Sequence, residues 1–266
     1  MKKYLIILLI GITVYACSKV PITGRKQISL VSDAEMNSLS LTSYNQFLTE
    51  NKKQVIQSGS QLDMVKRVGS RIAKAVEGYL KANGYEKEIQ NYKWEFNLVN
   101  SNEVNAWCMP GGKVVVYTGI FKVASNETEL AVVMGHEIAH AVAKHGQERM
   151  SQEMLQQVGG AMISQALAQK SEATRNIFLS AYGVGSNLLG ILPYSRLQES
   201  EADKLGLVFM AMAGYNPEAA LAFWSKMSSS SSQAPPEFLS THPSDQTRIN
   251  QIKAFLPEAM KYYNQH

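Results

Sequence analysis

Apolar residues recur at helical spacing in two early stretches of the chain, with polar residues between them. Ser32 and Glu35 form a capping-box pattern, which predicts a helix that continues to about Glu50. A second helix is predicted before the turn sequence Asn83-Gly84. Its apolar positions repeat every three or four residues: Leu62, Val65, Ile72, Val76 and Tyr79.

Two short segments in the middle of the chain have the pattern of β-strands. Trp94, Phe96 and Leu98 alternate with polar residues, and a β-branched run extends over residues 114–117. We expect a turn around Pro110-Gly111-Gly112 to join these two strands.

After Thr118-Gly119 the pattern becomes helical. Asn126 and Glu129 predict the start of a helix that continues through Lys144. Residues 151–192 are rich in small residues, and the part from Asn176 to Tyr194 carries no charge. A membrane-inserted hairpin is one interpretation of that part. Its asparagines, proline and small polar residues favour helices packed inside the domain instead.

The remaining segments are also predicted to be helical. One helix runs from about Arg196 to Ala213 with Gly214 as its C-terminal cap, and another starts at Asn216-Pro217-Glu218. The low-complexity stretch Ser228–Pro236 indicates a flexible loop, because one more helix-forming segment follows it. Helices, a small sheet and again helices predict an α+β fold, with a single domain over residues 32–266.

Composition and charge are those of an ordinary globular protein, with 45% hydrophobic and 18% charged residues. The formal net charge of +4 falls to +2 if residues 1–16 are removed, since they contain Lys2 and Lys3 and no acidic residue. The sequence has no dense stripe of lysine and arginine, so we expect no nucleic-acid partner.

The N-terminus, residues 1–16, has the pattern of a secretory signal peptide. Lys2 and Lys3 precede the apolar run from Tyr4 to Val14, which is short for a bilayer span. An uncleaved anchor helix is the alternative.

Cys17, which follows Val14-Tyr15-Ala16, resembles the lipobox cysteine of bacterial lipoproteins. The resemblance implies cleavage before Cys17, acylation of this residue, and anchoring to a membrane through its lipid. Ser18 in the next position implies the outer membrane. Residues 17–31 lack periodicity, and we expect them to form the lipid anchor and a tether.

Cys108 would then be the one unmodified cysteine, so an intramolecular disulfide is not expected. A catalytic nucleophile is one interpretation of this residue. A small, buried, apolar role between Trp107 and Met109 is the interpretation that we favour.

The motif His136-Glu137-Ile138-Ala139-His140 is the strongest chemical signal in the sequence. Residues four apart lie on one face of a helix, so both imidazoles can bind one metal ion, and Glu137 can act on a metal-bound water. The neighbouring apolar positions predict a buried helix. Two buried histidines without partners would be costly, which favours the metal site over two core residues.

Glu199 and Asp203 are candidates for completing such a site from a later helix, because they are four residues apart and share a face. Glu199 can bind the metal, and Asp203 can accept the far N–H of a ligating histidine. Glu201 points roughly the other way. A solvated acidic helix face is the alternative, and the residues by themselves leave both interpretations open.

Further motifs accompany these features in order: Pro21-Ile22-Thr23-Gly24-Arg25, Tyr194-Ser195-Arg196 and Thr241-His242-Pro243 with Arg248-Ile249. Together with the lipobox they resemble the zinc metallopeptidase family that includes HtpX, LoiP, BepA and the CAAX prenyl protease, and most of all its minimal lipoproteins of the LoiP kind.

That resemblance implies a mainly helical gluzincin domain with a small β-sheet at the edge of the active-site cleft. It also implies one Zn²⁺ per chain, bound by His136, His140 and Glu199, with Asp203 behind the ligands and Glu137 as the catalytic base.

The family counterpart of His242 can approach the zinc as a fourth ligand. His242 would then keep the enzyme latent, or it would stabilise the transition state. A simple turn residue before Pro243 is the third interpretation. His145 is five residues past His140 and is expected at the surface.

Residues 105–112 resemble the family segment that leads to the strand at the cleft edge. We therefore expect Asn105, Gly111 and Gly112 to bind substrate, with Lys113 to Tyr117 as the strand to which an extended substrate adds. An ordinary hairpin is the alternative interpretation.

The predicted function is a zinc-dependent endopeptidase that hydrolyses unfolded or misassembled envelope proteins with a metal-activated water. Expected partners are these substrates, the membrane, and the outer-membrane assembly machinery; the expected location is the periplasmic face of the outer membrane. A zinc-containing chaperone or assembly factor with little proteolysis is the main alternative. A structural lipoprotein with an incidental motif is the other.

Overall fold

The computed structural model describes residues 17–20, 23–157, 172–182, 195–229 and 246–263, together with the single residues 165, 168, 238, 239 and 242. The helices are α1 (Asp33–Glu50), α2 (Ser60–Ala82), α3 (Glu86–Ile89), α4 (Glu127–Val142), α5 (His145–Gln157), α6 (Glu172–Ala181), α7 (Arg196–Met212), α8 (Ala219–Ser229) and α9 (Gln246–Tyr263). The strands are β1 (Cys17–Lys19), β2 (Lys26–Ile28), β3 (Glu95–Val99), β4 (Ala106–Met109) and β5 (Lys113–Tyr117).

These elements form the predicted mainly helical α+β fold with a small sheet. Both halves of the predicted capping box are present at α1, where Ser32 and Glu35 bond each other's backbone N–H. Ser195 and Gln198 form a second capping box at α7. Gly214 follows α7 with a φ of 79°, as its predicted capping position requires.

The three-stranded sheet has the order β3-β5-β4, with β5 parallel to β3 and antiparallel to β4. The predicted connection was therefore wrong. Pro110-Gly111-Gly112 turns β4 into β5, and it does not join β3 to β5. Gly111 and Gly112 both have positive φ, 77° and 78°, which suits glycine in a tight turn.

Strand β4 was missed because it is apolar at every position, without alternation. Strands β4 and β5 are buried on both faces, which explains that pattern. Val114 and Val116 of β5 pack in the larger core with α2, α4 and α7. Val115 and Tyr117 pack on the opposite face with α1 and α6.

The described residues of the predicted anchor and tether include two short paired strands, which the lack of periodicity did not predict; the role of residues 17–31 as lipid anchor and tether stays a prediction. Strands β1 and β2 pair antiparallel, with Cys17 opposite Ile28. Val20 and Val31 are buried against the domain. Each strand has only three residues, which is too short for hydrophobic periodicity to show it.

Helix α4 begins as predicted, with the Asn126 side chain accepting from the Glu129 N–H. It ends at Val142, and Lys144 adopts a left-handed φ of 59° before α5 starts. Lys144 is held there by ion pairs to Asp33 and Glu88, at 2.7 and 3.0 Å. The predicted helix through Lys144 thus ends two residues early, at Val142, and a sharp break at Lys144 separates it from α5.

Several predictions concern residues outside those described. They include the signal peptide at residues 1–16, Pro21 and Ile22 of the tether, most of the loop at 228–236, and the part of the uncharged stretch at 183–194. The described part of that stretch lies in α6. Among the described residues, no helix has the length and apolar character that crossing a bilayer requires.

Candidate metal centre

Four buried side chains from three parts of the chain converge on one point: His136 and His140 of α4, Glu199 of α7, and His242 just before α9. Their nitrogen and oxygen atoms approach one another at 2.9–3.4 Å. The structure thus brings together the predicted ligands and the residue that was proposed as a fourth.

Helix geometry and close packing produce this arrangement. His136 and His140 are one turn apart on α4, so both rings leave the same face. Helix α7 crosses that face at Gly135 and Gly206, whose backbones are nearly in contact: a Cβ added to Gly206 would lie 3.0 Å from the backbone nitrogen of His136. The absence of side chains at this crossing lets α7 bring Glu199 to the histidines.

The lone pairs that meet at this point need a proton or a metal ion between them. Nδ1 of His136 lies 2.9 Å from a carboxylate oxygen of Asp203, so in the neutral ring Nδ1 carries the proton and Nε2 keeps a lone pair. That Nε2 is 3.0 Å from Nε2 of His140 and faces Glu199 as well. Nitrogen and carboxylate lone pairs in contact repel one another unless a proton or metal ion lies between them.

The donor set and its spacing fit zinc. Imidazole nitrogen and carboxylate oxygen are both ordinary zinc ligands. Ligand atoms about 2.0–2.1 Å from a tetrahedral zinc are about 3.3–3.4 Å from one another. The observed separations of 2.9–3.4 Å are close to that value.

Arg248 of α9 supports the ligands from behind. Its Nε and Nη2 donate to the two oxygens of Asp203 at 2.7 and 2.8 Å, and its Nη1 lies 2.9 Å from Oε2 of Glu199. The guanidinium carbon is 3.5 Å from the centre of the Trp224 ring. Sequence reasoning missed this role of Arg248, although an arginine on a helix with a buried apolar face was a usable signal.

The pKa values of the ligands reflect burial and these charges. Burial would lower the pKa of His136, but Glu199 and Asp203 raise it to about 9. Burial lowers the pKa of His140 well below its usual value. Burial would raise the pKa of Glu199, yet His242, Arg248 and His136 hold it well below its usual value. The Glu199 carboxylate is therefore ionised and able to bind a cation.

Glu137 lies beside the ligand cluster and is itself buried. Its Oε1 is 3.3 Å from Nε2 of His242, but it receives no hydrogen bond of normal geometry from any described residue. Burial raises the pKa of Glu137 above its usual value, although His242 and His136 oppose the shift. A carboxylate with a raised pKa is suited to accept and return a proton near neutral pH.

His145 is fully buried, so its predicted place at the surface was wrong. Its Nδ1 lies 2.9 Å from Nδ1 of His140, and its Nε2 lies 2.9 Å from Oε2 of Glu201. The prediction assumed a continuous helix, on which a residue five positions later points away from the metal face. The break at Lys144 returns His145 to the back of the His140 ring.

The predicted substrate residues lie at opposite ends of β4. Asn105 is buried at its start, with its side-chain oxygen accepting from the Ala106 N–H. Gly111 and Gly112 are in the turn at the other end, where their carbonyls accept from Lys93 and Glu95. Substrate binding by these three residues stays a prediction.

Strand β5 (Lys113–Tyr117) was predicted to receive the substrate, and that prediction was wrong. It is the central strand, and its two edges are paired with β3 and β4. Cys108 of β4 is a buried free cysteine, as predicted. Burial raises the pKa of its thiol well above the usual value, which disfavours the reactive thiolate.

Residues 65–256, which include the whole ligand cluster, match peptidase family M48. The chain is 32% identical over 243 residues to the mitochondrial metalloendopeptidase OMA1 of Schizosaccharomyces pombe, covering 90% of this chain and 66% of the relative. It is 30% identical over 249 residues to the human metalloendopeptidase OMA1, covering 91% and 46%.

A bacterial relative has also been found, the beta-barrel assembly-enhancing protease of Escherichia coli. It is 33% identical over 162 residues, which are 59% of this chain and 33% of the relative. The chain therefore spans from about a third to two thirds of the length of these relatives.

Proposed function

The chain belongs to peptidase family M48 and contains the catalytic domain of a zinc metalloendopeptidase, and we propose that it hydrolyses unfolded or misassembled proteins of a bacterial cell envelope. The observation that carries the proposal is the buried cluster of His136, His140 and Glu199 with Glu137 beside it.

His136, His140 and Glu199 would hold one Zn²⁺ per chain. Zinc in such a site polarises a carbonyl group and lowers the pKa of water. Glu137 takes a proton from the attacking water and delivers it to the leaving amine. Asp203 fixes the Nδ1–H tautomer of His136, which directs the lone pair on Nε2 into the site.

We infer that His242 would occupy the remaining position at the metal. Its Nδ1 is 2.9 Å from Oε1 of Glu199 and 3.1 Å from Nε2 of His136. A catalytic zinc needs one position for water or substrate, and a third imidazole in that position makes the enzyme latent. Catalysis then requires His242 to withdraw.

Phe238 packs close to the cluster together with His242. The Phe238 ring stacks on Trp224, and its N–H donates to the Val104 carbonyl just before β4. Because the His242 N–H bonds the Phe238 carbonyl, withdrawal of these two residues together would open both the metal centre and this end of the strand.

The outer edge of β4 replaces β5 as the proposed substrate-binding strand. Among the described residues, it pairs on one side with β5 and has no strand partner on the other. An extended peptide can add to such an edge through backbone hydrogen bonds. Recognition of backbone tolerates many sequences but requires an unfolded segment, which is the basis for the proposed substrates.

Lipidation at Cys17 would place the domain at the periplasmic face of the outer membrane. Since β1 starts at Cys17 itself and the hairpin packs on the domain, the lipid would hold the catalytic body close to the bilayer surface. The E. coli relative is a beta-barrel assembly-enhancing protease. By analogy with this relative, we propose that the present protein contacts outer-membrane assembly machinery.

The decisive experiment compares the wild type with Glu137→Gln, in purified form and in cells. Purified wild type should carry about one zinc per chain and cleave an unfolded protein such as casein. Glu137→Gln should keep the zinc and the fold but lose cleavage about 100- to 10,000-fold. Glu50→Gln, at an exposed position of α1, is the matched control.

In cells, proteomics should find envelope proteins that accumulate or stay bound when Glu137→Gln replaces the wild type. Absence of zinc from the purified protein, or cleavage by Glu137→Gln near the wild-type rate, would overturn the proposed mechanism. Full cellular function of Glu137→Gln would favour the chaperone or assembly role, which the closed site permits.

A further inference from the structure

We propose that His145 and Glu201 position the metal-binding ring of His140, and that Thr23 and Arg25 of the N-terminal hairpin hold them in place. We call these four residues the positioning network. The inference rests on the proposed zinc site, since its effect is exerted through His140.

The first link is the contact between two imidazoles. Nδ1 of His140 and Nδ1 of His145 are 2.9 Å apart, so one must donate and the other accept. His140 directs Nε2 toward His136 and Glu199, and a ring that binds metal through Nε2 carries its proton on Nδ1. His140 is therefore the donor, and His145 accepts through Nδ1.

The second link follows from that tautomer. A neutral His145 that accepts through Nδ1 carries its proton on Nε2, which lies 2.9 Å from Oε2 of Glu201. The Glu201 carboxylate is the matching acceptor. His145 and Glu201 thus do for His140 what Asp203 does for His136: they fix which nitrogen faces the metal and how the ring is turned.

The third link ties Glu201 to the hairpin. Its carboxylate accepts from the Thr23 hydroxyl and, at 2.8 Å, from Nε of Arg25. Both donors lie in the turn between β1 and β2, more than 170 residues away in sequence. The hairpin therefore supplies two of the hydrogen bonds that orient this carboxylate.

Arg25 also joins the two helices that carry the network. Its Nη1 and Nη2 donate to the two oxygens of Glu148 on α5, each at 2.9 Å, while Nε binds Glu201 on α7. Gln198 of α7 donates to Glu148 at 2.8 Å. One guanidinium thus pairs with two buried carboxylates and fixes α5, with His145, against α7, with Glu201.

The test measures zinc binding by chelator competition, starting from the zinc-loaded full chain. Glu201→Gln and Arg25→Ala should weaken zinc binding about 10- to 100-fold. Thr23→Val removes one hydroxyl from the network with little change of shape, so it should weaken binding less but measurably. Arg67→Ala is the matched control, because Arg67 also pairs with a glutamate, Glu127, but on the exposed surface.

A second measurement separates positioning from general stability. Nitrogen-15 NMR of labelled histidine, recorded on the zinc-loaded Glu137→Gln protein, reports which ring nitrogen of His140 carries the proton. The zinc-loaded Glu137→Gln protein without further substitutions should show the proton of His140 on Nδ1. Glu201→Gln and Arg25→Ala should show a shifted or exchange-broadened Nδ1–H signal, and the Arg67→Ala spectrum should be unchanged.

The inference is overturned if Thr23→Val and the other network variants keep wild-type zinc affinity and an unchanged His140 signal. Thr23→Val keeps the test decisive if Arg25→Ala does not fold. A wild type that neither holds zinc nor cleaves protein would defeat the proposed function itself, whereas an active, zinc-loaded wild type with unaffected variants would defeat only the positioning network.

Discussion

Nδ1 of His136 lies 2.9 Å from Oδ1 of Asp203, on the side of the ring opposite the ligand cluster. The contact fixes the tautomer of His136 and depends in turn on Arg248, which donates to both Asp203 oxygens. We therefore expect Asp203 to affect the affinity for metal and Arg248 to affect the free energy of unfolding.

Asp203→Asn should weaken zinc binding about 10- to 100-fold. The asparagine keeps the size of the side chain but removes the charge that stabilises the Nδ1–H form of His136. Chelator competition gives the dissociation constant. Asp63→Asn, at an exposed position of α2, should leave it unchanged. Equal zinc affinities for Asp203→Asn and the wild type would show that Asp203 does not affect how strongly His136 binds the metal.

Arg248→Met should lower the free energy of unfolding of the chelator-treated protein by about 3–5 kcal/mol. Arg248 is buried and lies between the carboxylates of Asp203 and Glu199, so its loss leaves two buried charges without their partner. Urea unfolding measures the change. Arg67→Ala breaks an exposed ion pair and should cost at most about 1 kcal/mol. A similarly small loss for Arg248→Met would contradict the prediction.

Local spacing made the core of the site predictable. His136 and His140, like Glu199 and Asp203, are four residues apart on helices, and the helical period alone puts each pair on one face. The N-terminal capping residues of α1 and α4 were equally predictable, because such a cap depends on residues three positions apart.

What could not be predicted depends on contacts between distant segments or on a change of chain direction. His145 was wrongly predicted at the surface because Lys144 breaks the helix. Lys144 does so with a left-handed backbone conformation, which a lysine in the sequence does not predict. Arg25 and Glu201 are 176 residues apart, and no local pattern relates them. Strand β4 lacks alternation because both of its faces are buried.

His242→Ala should raise the basal rate at which the zinc-loaded enzyme cleaves an unfolded protein, by about tenfold or more. A hydrogen bond to a charged group contributes about 1.5–3 kcal/mol, and the His242–Glu199 contact is lost in the variant. Zinc content should stay at the wild-type level, since His136, His140 and Glu199 remain. Gln246→Ala, at a nearby exposed position, is the control.

A fall in the rate of His242→Ala at full zinc content would reverse that interpretation. His242 would then stabilise the transition state, a role that its Nε2, 3.3 Å from Glu137, is also placed to serve. The two interpretations therefore predict changes of opposite sign in one assay.

Gly206→Ala tests whether the close crossing of α4 and α7 sets the geometry of the metal centre. The added Cβ would lie 3.0 Å from the carbonyl carbon of Gly135 and 3.0 Å from the nitrogen of His136. Both neighbours are helix backbone and cannot rotate away, so the helices must separate. Since Glu199 and Asp203 are on α7 and the histidines on α4, the separation should weaken zinc binding and lower the free energy of unfolding by about 1–3 kcal/mol.

Gly78→Ala is the matched control, because a Cβ at this position of α2 would meet no atom within 4 Å. That variant should be more stable than the wild type by about 0.5–1 kcal/mol, since alanine favours the helix interior, and its zinc affinity should not change. Zinc titration measures the affinity of both variants, and urea unfolding measures their stability. If Gly206→Ala loses stability but keeps wild-type zinc affinity, the crossing matters for packing alone and the ligands tolerate the displacement of α7.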